Sequence, residues 1–470
     1  MCSQDHVNVI VVGGGAAGLA AAAAAEQAGL SCQLLEARGR LGGRVRTVPL
    51  RSGGVFDEGA QMVNGDMGRV LALAERAGLR LSPVPGAGIG VCIVGQDRLR
   101  AEDLTSVDEI YRLLEDHVVR WDSLGEALRA LRLKLEWWNT PWESAGEAKR
   151  ALDLLVEKRT VPRDSLAAAL RALLLSPEEH AMAVSLFTEI LSGPPEDIDA
   201  HAVRDLFARY GSQRDDLEFQ FPGGMMQVID QLAADVRHTP CLNTPVRRIR
   251  TTADRVEVTT AARTWTADSV IVAVPPPAAR AIAFDMDGGD DLAGLLAAFT
   301  AGDLIKTVLV YDTAFWRLKG LSGSATFGDP AGLAVVDASL DDSTPPRLIA
   351  FLGGPLARDW AAQPQAARQA HLLRHLARAF GDDARTPREV AEAVWVDDPW
   401  SGGGYNATVR IGGCADAVAR LAAWDGPVRF AGAEVDDLFW GYVDGAINSG
   451  RAAIARIIGD ARRESPTCPR

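Results

Sequence analysis

Apolar and polar residues change their spacing several times along the chain, and each change predicts a different element. Val7 to Val12 is a short apolar run rich in β-branched residues, the pattern of a buried parallel strand. Gly13, Gly15 and Gly18 follow, then an alanine run of high helix propensity. A second strand is predicted from Ser31 to Leu35, ending at Glu36, and "MGRVLALAERAG" reads as an amphipathic helix closed by Gly78. From about Leu79 the character shifts. Residues 102 to 210 are mostly helical in period, with breaks at Pro162 and Pro194-Pro195. Strand character returns at "FQFPGGMMQVIDQLAADV"; Arg247 to Thr260 reads as a hairpin and "DSVIVAVPPPAAR" as a buried strand closed by three prolines. A mixed segment from about 281 to 394 holds the strands "DLIKTVLVYD" and "RLIAFLGG", and the chain closes with strand, loop and helix in "VRFAGAEVDDLFWGYVDGAINSGRAAIARII". No internal repeat is present.

This order predicts an α/β fold: a Rossmann-like nucleotide-binding domain, discontinuous over residues 1–78, 222–280 and 395–470. Inserted α+β material at 79–221 and 281–394, a helical cap plus a mixed sheet, is expected to form one substrate-binding domain over it. The tryptophan-rich stretch from Trp137 to Trp142 suits either a pocket wall or a seal between helices.

The first glycine cluster carries chemistry. A strand, tight turn and helix present backbone N–H groups and the positive end of a helix dipole to a pyrophosphate. Gly13 permits the turn, Gly15 the approach of phosphate, and Gly18 the packing of helix on strand. Glu36, at the end of the next strand, is placed to accept hydrogen bonds from a ribose diol. NAD and FAD enzymes share this cluster. The second cluster, Arg40-Leu41-Gly42-Gly43-Arg44 with Thr47 beyond it, separates them: it resembles the GG motif of FAD-dependent proteins of the two-dinucleotide-binding-domain type. Adjacent glycines leave no side chain between backbone and diphosphate or ribitol, and Arg44 offers a fork of donors. FAD is the expected cofactor.

Charge narrows the partners. A net charge of -13 over 470 residues argues against a nucleic-acid or anionic-membrane partner. The six cysteines are scattered without a C-x-x-C and are expected to be free thiols; the seven histidines are read as forming no H-x-x-x-H cluster, so no metal site is expected. The uncharged run from Val9 to Ala25 is long enough for a membrane span, but its glycines favour strand, turn and helix. No basic stretch precedes it and the last residues are polar, so a soluble, cytoplasmic protein without signal peptide or anchor is expected.

Beyond the glycine clusters, several ordered motifs resemble the flavin-containing amine oxidases, the superfamily of monoamine, polyamine and L-amino acid oxidases. "DEGAQMVNG" is similar to the family segment behind the flavin ring, and "FPGGMMQVIDQLA", Val246 and "VIVAVPPPAAR" to the second flavin-binding section. "DLIKTVLVYDTAFWR", "VWVDDPWSGGGY" and "FAGAEVDDLFWGYVDGAINSGRAA" resemble monoamine oxidases in order and spacing. The resemblance implies that Lys306 holds a water against flavin N5, that Trp395 packs beside the isoalloxazine, and that Tyr405 and Tyr442 flank the substrate amine. The implied FAD-binding set is Gly13, Gly15, Ala16, Ala17, Gly18, Glu36, Ala37, Arg38, Gly42, Gly43, Arg44, Gly59, Ala60, Gln61, Met62, Val246, Trp395, Trp400, Gly432, Glu434, Gly441, Tyr442, Val443 and Ala446. Read without the resemblance, Lys306 could instead snorkel to a sheet edge, sharing a face with Leu304, Val308 and Val310.

Two departures inform. Gly404 stands where animal monoamine oxidases carry the cysteine that bonds to the flavin, so the resemblance implies FAD held without a covalent link. The segment after the GG motif lacks the arginine that pairs with a substrate carboxylate in L-amino acid oxidases, which favours amines. The implied reaction takes amine and dioxygen to imine and hydrogen peroxide. An L-amino acid oxidase, a tailoring oxidase on a larger metabolite, a flavin desaturase and a flavoprotein without turnover are the alternatives, and the family likeness makes a homodimer plausible.

Overall fold

The computed structural model describes residues 6–106, 109–115, 165–212, 214, 217–340, 344–414 and 416–464. The tryptophan-rich stretch and Pro162 lie outside them.

The first apolar run is the strand His6–Val12, buried at nearly every position after its first. It pairs in parallel with Cys32–Leu35 on one side and with Thr264–Val272 on the other. Parallel neighbours require a crossover, here the helix Ala16–Gln27. Val428–Phe430 adds a further parallel strand. The predicted hairpin is present as Val246–Thr251 against Val256–Thr260, which continues antiparallel onto Thr264–Val272. Ala283–Asp285 closes this seven-stranded sheet, although the sequence assigns it to the inserted domain.

The alanine helix is buried on almost all sides. The long helix Val443–Glu464 lies against it so closely that a Cβ on Gly450 would fall 2.1 Å from the Ala17 carbonyl oxygen, which reserves that position for glycine. The end of the chain is thereby brought back to the first glycine turn. In "FQFPGGMMQVIDQLAADV" only Phe219–Gln220 is strand; Met226–Ala234 is helical, burying Val228, Ile229 and Leu232 at helical spacing.

A second seven-stranded sheet runs in the order Glu389–Val394, Leu304–Val310, Arg347–Gly353, Leu333–Asp337, Leu321–Phe327, Ile89–Val94, Asp97–Arg100. Leu304–Val310 has strand partners on both sides and is buried throughout. Ile305 and Leu309 join one apolar cluster, while Leu304, Val308 and Val310 join another with Phe56 and Trp395. Lys306 therefore cannot snorkel to an edge; it is 1% exposed. Helix Pro177–Leu191 packs on this sheet and starts with a capping box formed by Ser176 and Glu179, with proline in its first turn.

Two expectations need correction. Cys32, Cys92 and Cys414 are free thiols, but Cys241 is disulfide-bonded, so the cysteines are not all free. His371 and His375 stand one turn apart on helix Gln365–Phe380, an H-x-x-x-H spacing overlooked in the sequence. Their rings serve packing: His371 stacks on Trp360 at 4.0 Å and His375 meets the edge of Phe327 at 5.8 Å between centroids. No group of three metal-capable side chains occurs among the described residues. Among them, no helix is long and apolar enough to cross a membrane.

Candidate active site

The two glycine clusters meet. Gly15 and Gly42 form a parallel bridge, and Gly42 N donates to Gly14 O at 2.9 Å. Gly13 has φ of 107°, and a Cβ there would lie 2.7 Å from the Ala273 carbonyl oxygen, so the turn demands glycine. Beside Gly15, by contrast, a Cβ would find nothing nearer than 4.0 Å. That open space is a solvent-connected cleft of about 1440 Å³. No side chain caps helix Ala16–Gln27, so its first N–H groups are left to the cleft. The Glu36 carboxylate accepts from Gly14 N at 2.6 Å and Arg38 N at 2.7 Å, which holds it at the cleft wall. Open glycine backbone, uncapped helix end and oriented acid together fit a flavin dinucleotide.

Most residues singled out in the sequence border this one cleft: Gly13, Gly15, Ala16, Ala17, Glu36, Ala37, Arg38, Gly42, Gly43, Arg44, Gly59, Ala60, Val246, Trp395, Trp400, Tyr405, Gly432, Gly441, Tyr442, Val443 and Ala446. Gly18, Gln61, Met62, Glu434 and Lys306 stand behind its wall. A Cβ on Gly18 would strike Gly13 O at 1.9 Å, so its task is packing helix on turn. Met62 pairs with Gln220 in a short strand. Glu434 is 1% exposed and receives both arms of the Arg44 fork, at 2.6 and 3.0 Å, together with Ala407 N at 3.2 Å. Arg44 also donates to the Tyr405 carbonyl at 2.8 Å and so ties the second glycine cluster to the tyrosine loop.

Lys306 reaches from the second sheet to the segment behind the cleft. Its Nζ donates to Asp57 O at 2.6 Å, Gly59 O at 2.8 Å and Gln61 Oε1 at 2.8 Å. An ammonium has three protons, and all three are engaged. Burial lowers its pKa to about 8, opposed by the charges of Asp57 and Glu58. Burial likewise raises Asp57 to about 6 against the pull of Lys306. Trp395 crosses the same wall, its indole N–H donating to Glu58 O at 2.8 Å.

Tyr405 and Tyr442, which border the same cleft, are held by groups that sequence reasoning missed. The Tyr405 hydroxyl donates to Glu189 Oε1 at 3.0 Å, and its ring lies 5.9 Å from Phe351. Tyr442 packs 5.3 Å from Tyr210 and is hydrogen-bonded to it, while Asn64 Nδ2 donates to the Tyr210 hydroxyl at 3.1 Å. Burial keeps both phenols well above their ordinary pKa, helped by Glu189 at Tyr405 and by Tyr210, ahead of Glu189, at Tyr442. Glu189 had a signal in the sequence: it is an acid on the stripe that buries Met182 and Ser185 of its helix. A Cβ on Gly404 would stand 3.3 Å from Trp395, so this glycine also makes room for the indole.

Comparison with known proteins settles the family. Residues 16–458 match the model of the flavin-containing amine oxidoreductases. The chain belongs to this family. The amine oxidoreductase is 28% identical to an L-amino acid dehydrogenase of Synechocystis, over 98% of this chain and 96% of that one. It is 27% identical to the putrescine oxidase of Kocuria rosea, over 96% and 95% of the two chains. Its fold superposes on the cyclohexylamine oxidase of Brevibacterium oxydans with a TM-score of 0.79 at 26% identity, covering 97% of this chain and 99% of that structure.

Proposed function

We propose that the protein oxidises an amine, with non-covalent FAD in the glycine-walled cleft and dioxygen as the acceptor, giving an imine and hydrogen peroxide. One observation carries this reading: Tyr405 and Tyr442 wall the same cleft as both glycine clusters. FAD, when bound, accepts two electrons from the substrate C–H bond. The chain's own work is placement and dryness. Gly13, Gly15, Gly42 and Gly43 present bare backbone to the diphosphate, Glu36 takes the ribose hydroxyls, and Trp395 backs the ring system. Tyr405 and Tyr442 hold the amine between two faces that attract a cation. Fixing that geometry lowers the barrier by on the order of several kcal/mol. Lys306 carries a cation on the 57–61 segment, where charge develops during reduction of oxygen. The reading includes a nucleotide-binding domain and an inserted substrate-binding domain, a cytoplasmic setting consistent with the acidic charge, and family-like dimers.

Likeness to an L-amino acid dehydrogenase supports a second reading, with an amino acid as substrate and an acceptor other than oxygen. The test is anaerobic bleaching of the flavin by primary, secondary and polyamines and by amino acids, followed by admission of air. Bleaching by amines and stoichiometric peroxide support the first reading; bleaching by amino acids alone, or no peroxide, favours the second.

Two results are expected here. Acid precipitation should leave the yellow colour in the supernatant as intact FAD, measured by chromatography, because Gly404 supplies no thiol; flavin in the pellet contradicts this. Tyr405→Ala should lower amine turnover by about a hundredfold while changing FAD affinity only a few-fold, read from flavin reduction and from FAD titration. The reverse pattern makes Tyr405 a structural residue.

A further inference from the structure

Glu189 is a carboxyl that the family chemistry described above leaves unused. It projects from helix Pro177–Leu191 where that helix meets strand Arg347–Gly353 so closely that a Cβ on Gly353 would lie 2.7 Å from the Glu189 Cα. It keeps 9% exposure. Among the described residues, the Tyr405 hydroxyl is the one hydrogen-bond donor to its side chain.

Among the described residues, no cation answers it. Strands Ile89–Val94 and Leu321–Phe327, which pack on the helix, bring no charge. Arg347 donates to Val55 O. Asp337 is held by Trp316 and Arg317, and Arg358 by Asp303 and Asp397. Arg171 and Asp359 make no hydrogen bond to it, and Glu178, Glu179 and His180 stand at the opposite end of its own helix. The two cage tyrosines face it as neutral phenols. A buried carboxylate without a counter-ion is costly unless a cation arrives.

We propose that Glu189 receives the substrate's ammonium group beside Tyr405 and takes its proton, selecting cationic amines against α-amino acids. This rests on the amine-oxidase reading and deepens it. An alkylamine reaches the protein at neutral pH as R–NH3+, whereas oxidation needs a free nitrogen lone pair. On transfer, one N–H bond breaks and one O–H bond forms at Glu189, giving R–NH2 and a neutral acid; no electrons change hands, and the proton passes to solvent when product leaves. Burial raises Glu189 to about 7, where a general base matches its task. An amino acid would place its own carboxylate near this group. Arg44, the arginine of the second glycine cluster that bonds to the tyrosine loop, already has its fork on Glu434.

The test compares holoenzyme with Glu189→Gln, which keeps an oxygen to accept the Tyr405 hydrogen bond but cannot take a proton. The probe is whichever of cyclohexylamine, benzylamine and putrescine reduces the flavin fastest without oxygen. For the parent protein, kcat/KM should rise through about pH 7 and then hold level until the amine itself deprotonates. For Glu189→Gln the plateau should vanish, the rate climbing continuously towards the amine's own pKa, with a deficit on the order of a hundredfold at pH 7.5. Independently of turnover, 1-methylcyclohexylamine, which has no α C–H, should perturb the flavin spectrum with roughly tenfold weaker binding in the variant. 1-Methylcyclohexanol should bind both alike. Tyr405→Phe removes the hydrogen bond that lowers the Glu189 pKa, so its acidic limb should move to higher pH. An unchanged plateau and unchanged amine binding in Glu189→Gln overturn the proposal alone. Failure of every amine to reduce the parent flavin overturns the amine-oxidase reading and the proposal with it.

Discussion

Replacing Lys306 with Met should slow flavin reduction or its reoxidation by oxygen at least a hundredfold while FAD remains bound. Two physical losses combine. The cation proposed to serve the developing negative charge disappears, a change worth about 2.7–4 kcal/mol when one oriented donor is removed. In addition, Asp57 O, Gly59 O and Gln61 Oε1 lose their shared donor inside a wall that excludes water. Each stranded acceptor costs about 1–3 kcal/mol. Stopped-flow absorbance resolves the two half-reactions, and urea unfolding reads the stability loss. Unchanged half-reactions would strip Lys306 of its chemical role and leave it a strut for the 57–61 segment. The role expected from the family, holding a water at N5, requires one of the three acceptors to yield. Gln61 is the candidate: it is the only side chain of the three and also donates to Gln220 at 2.9 Å. With Lys306 lowered to about 8, the cation is present at neutral pH and lost above it. A rate that depends on the charge should accordingly fall on the alkaline side of pH 8, and Lys306→Met should lack that fall.

How much of this was legible in the sequence depends on whether a local rule or a distant contact decides each feature. The first strand, the glycine turn and the alanine helix follow from short-range demands, so Gly13, Gly15 and Gly18 declare themselves. Leu304–Val310 and Arg347–Gly353 were equally plain, because a buried central strand is apolar over most of its length, with Lys306, Thr307 and Arg347 the exceptions here. Met226–Ala234 was harder: "MMQVIDQLAA" is short, and its helical spacing shows only once Val228, Ile229 and Leu232 are seen buried together. Ala283–Asp285 joined the first sheet through pairing with Arg248–Arg250, a partnership between segments that composition does not connect. At the site, residues on glycine turns could be named, but their supporting shell could not. Glu189 meets Tyr405 across 216 positions of sequence, and Asn64 meets Tyr210 across 146. Glu434, which the resemblance places in the FAD-binding set, is 1% exposed and bonded to Arg44, and it is Arg44 that borders the cleft.

That arginine carries the other large expected effect. Arg44→Ala should weaken FAD binding by two to three orders of magnitude, measured by titrating apoprotein with FAD, about 3–4 kcal/mol at 1.4 kcal/mol per decade. The fork of Arg44 unites three things: the backbone of the second glycine cluster, the buried Glu434 carboxylate, and the Tyr405 carbonyl. Removing it strands a carboxylate that is 1% exposed, a loss of about 3–5 kcal/mol when one member of a buried pair is deleted. It also frees the tyrosine loop. Cofactor affinity and amine turnover should therefore fall together, unlike the split expected for Tyr405→Ala. Arg44→Lys separates charge from geometry: a single ammonium cannot serve both Glu434 oxygens and Tyr405 O in the planar arrangement of the guanidinium, so an intermediate loss of FAD affinity is expected. Full recovery by lysine would mean that charge alone matters there. Parent-like FAD binding in Arg44→Ala would detach the second glycine cluster from cofactor recognition and leave the Gly15–Gly42 contact as a packing feature.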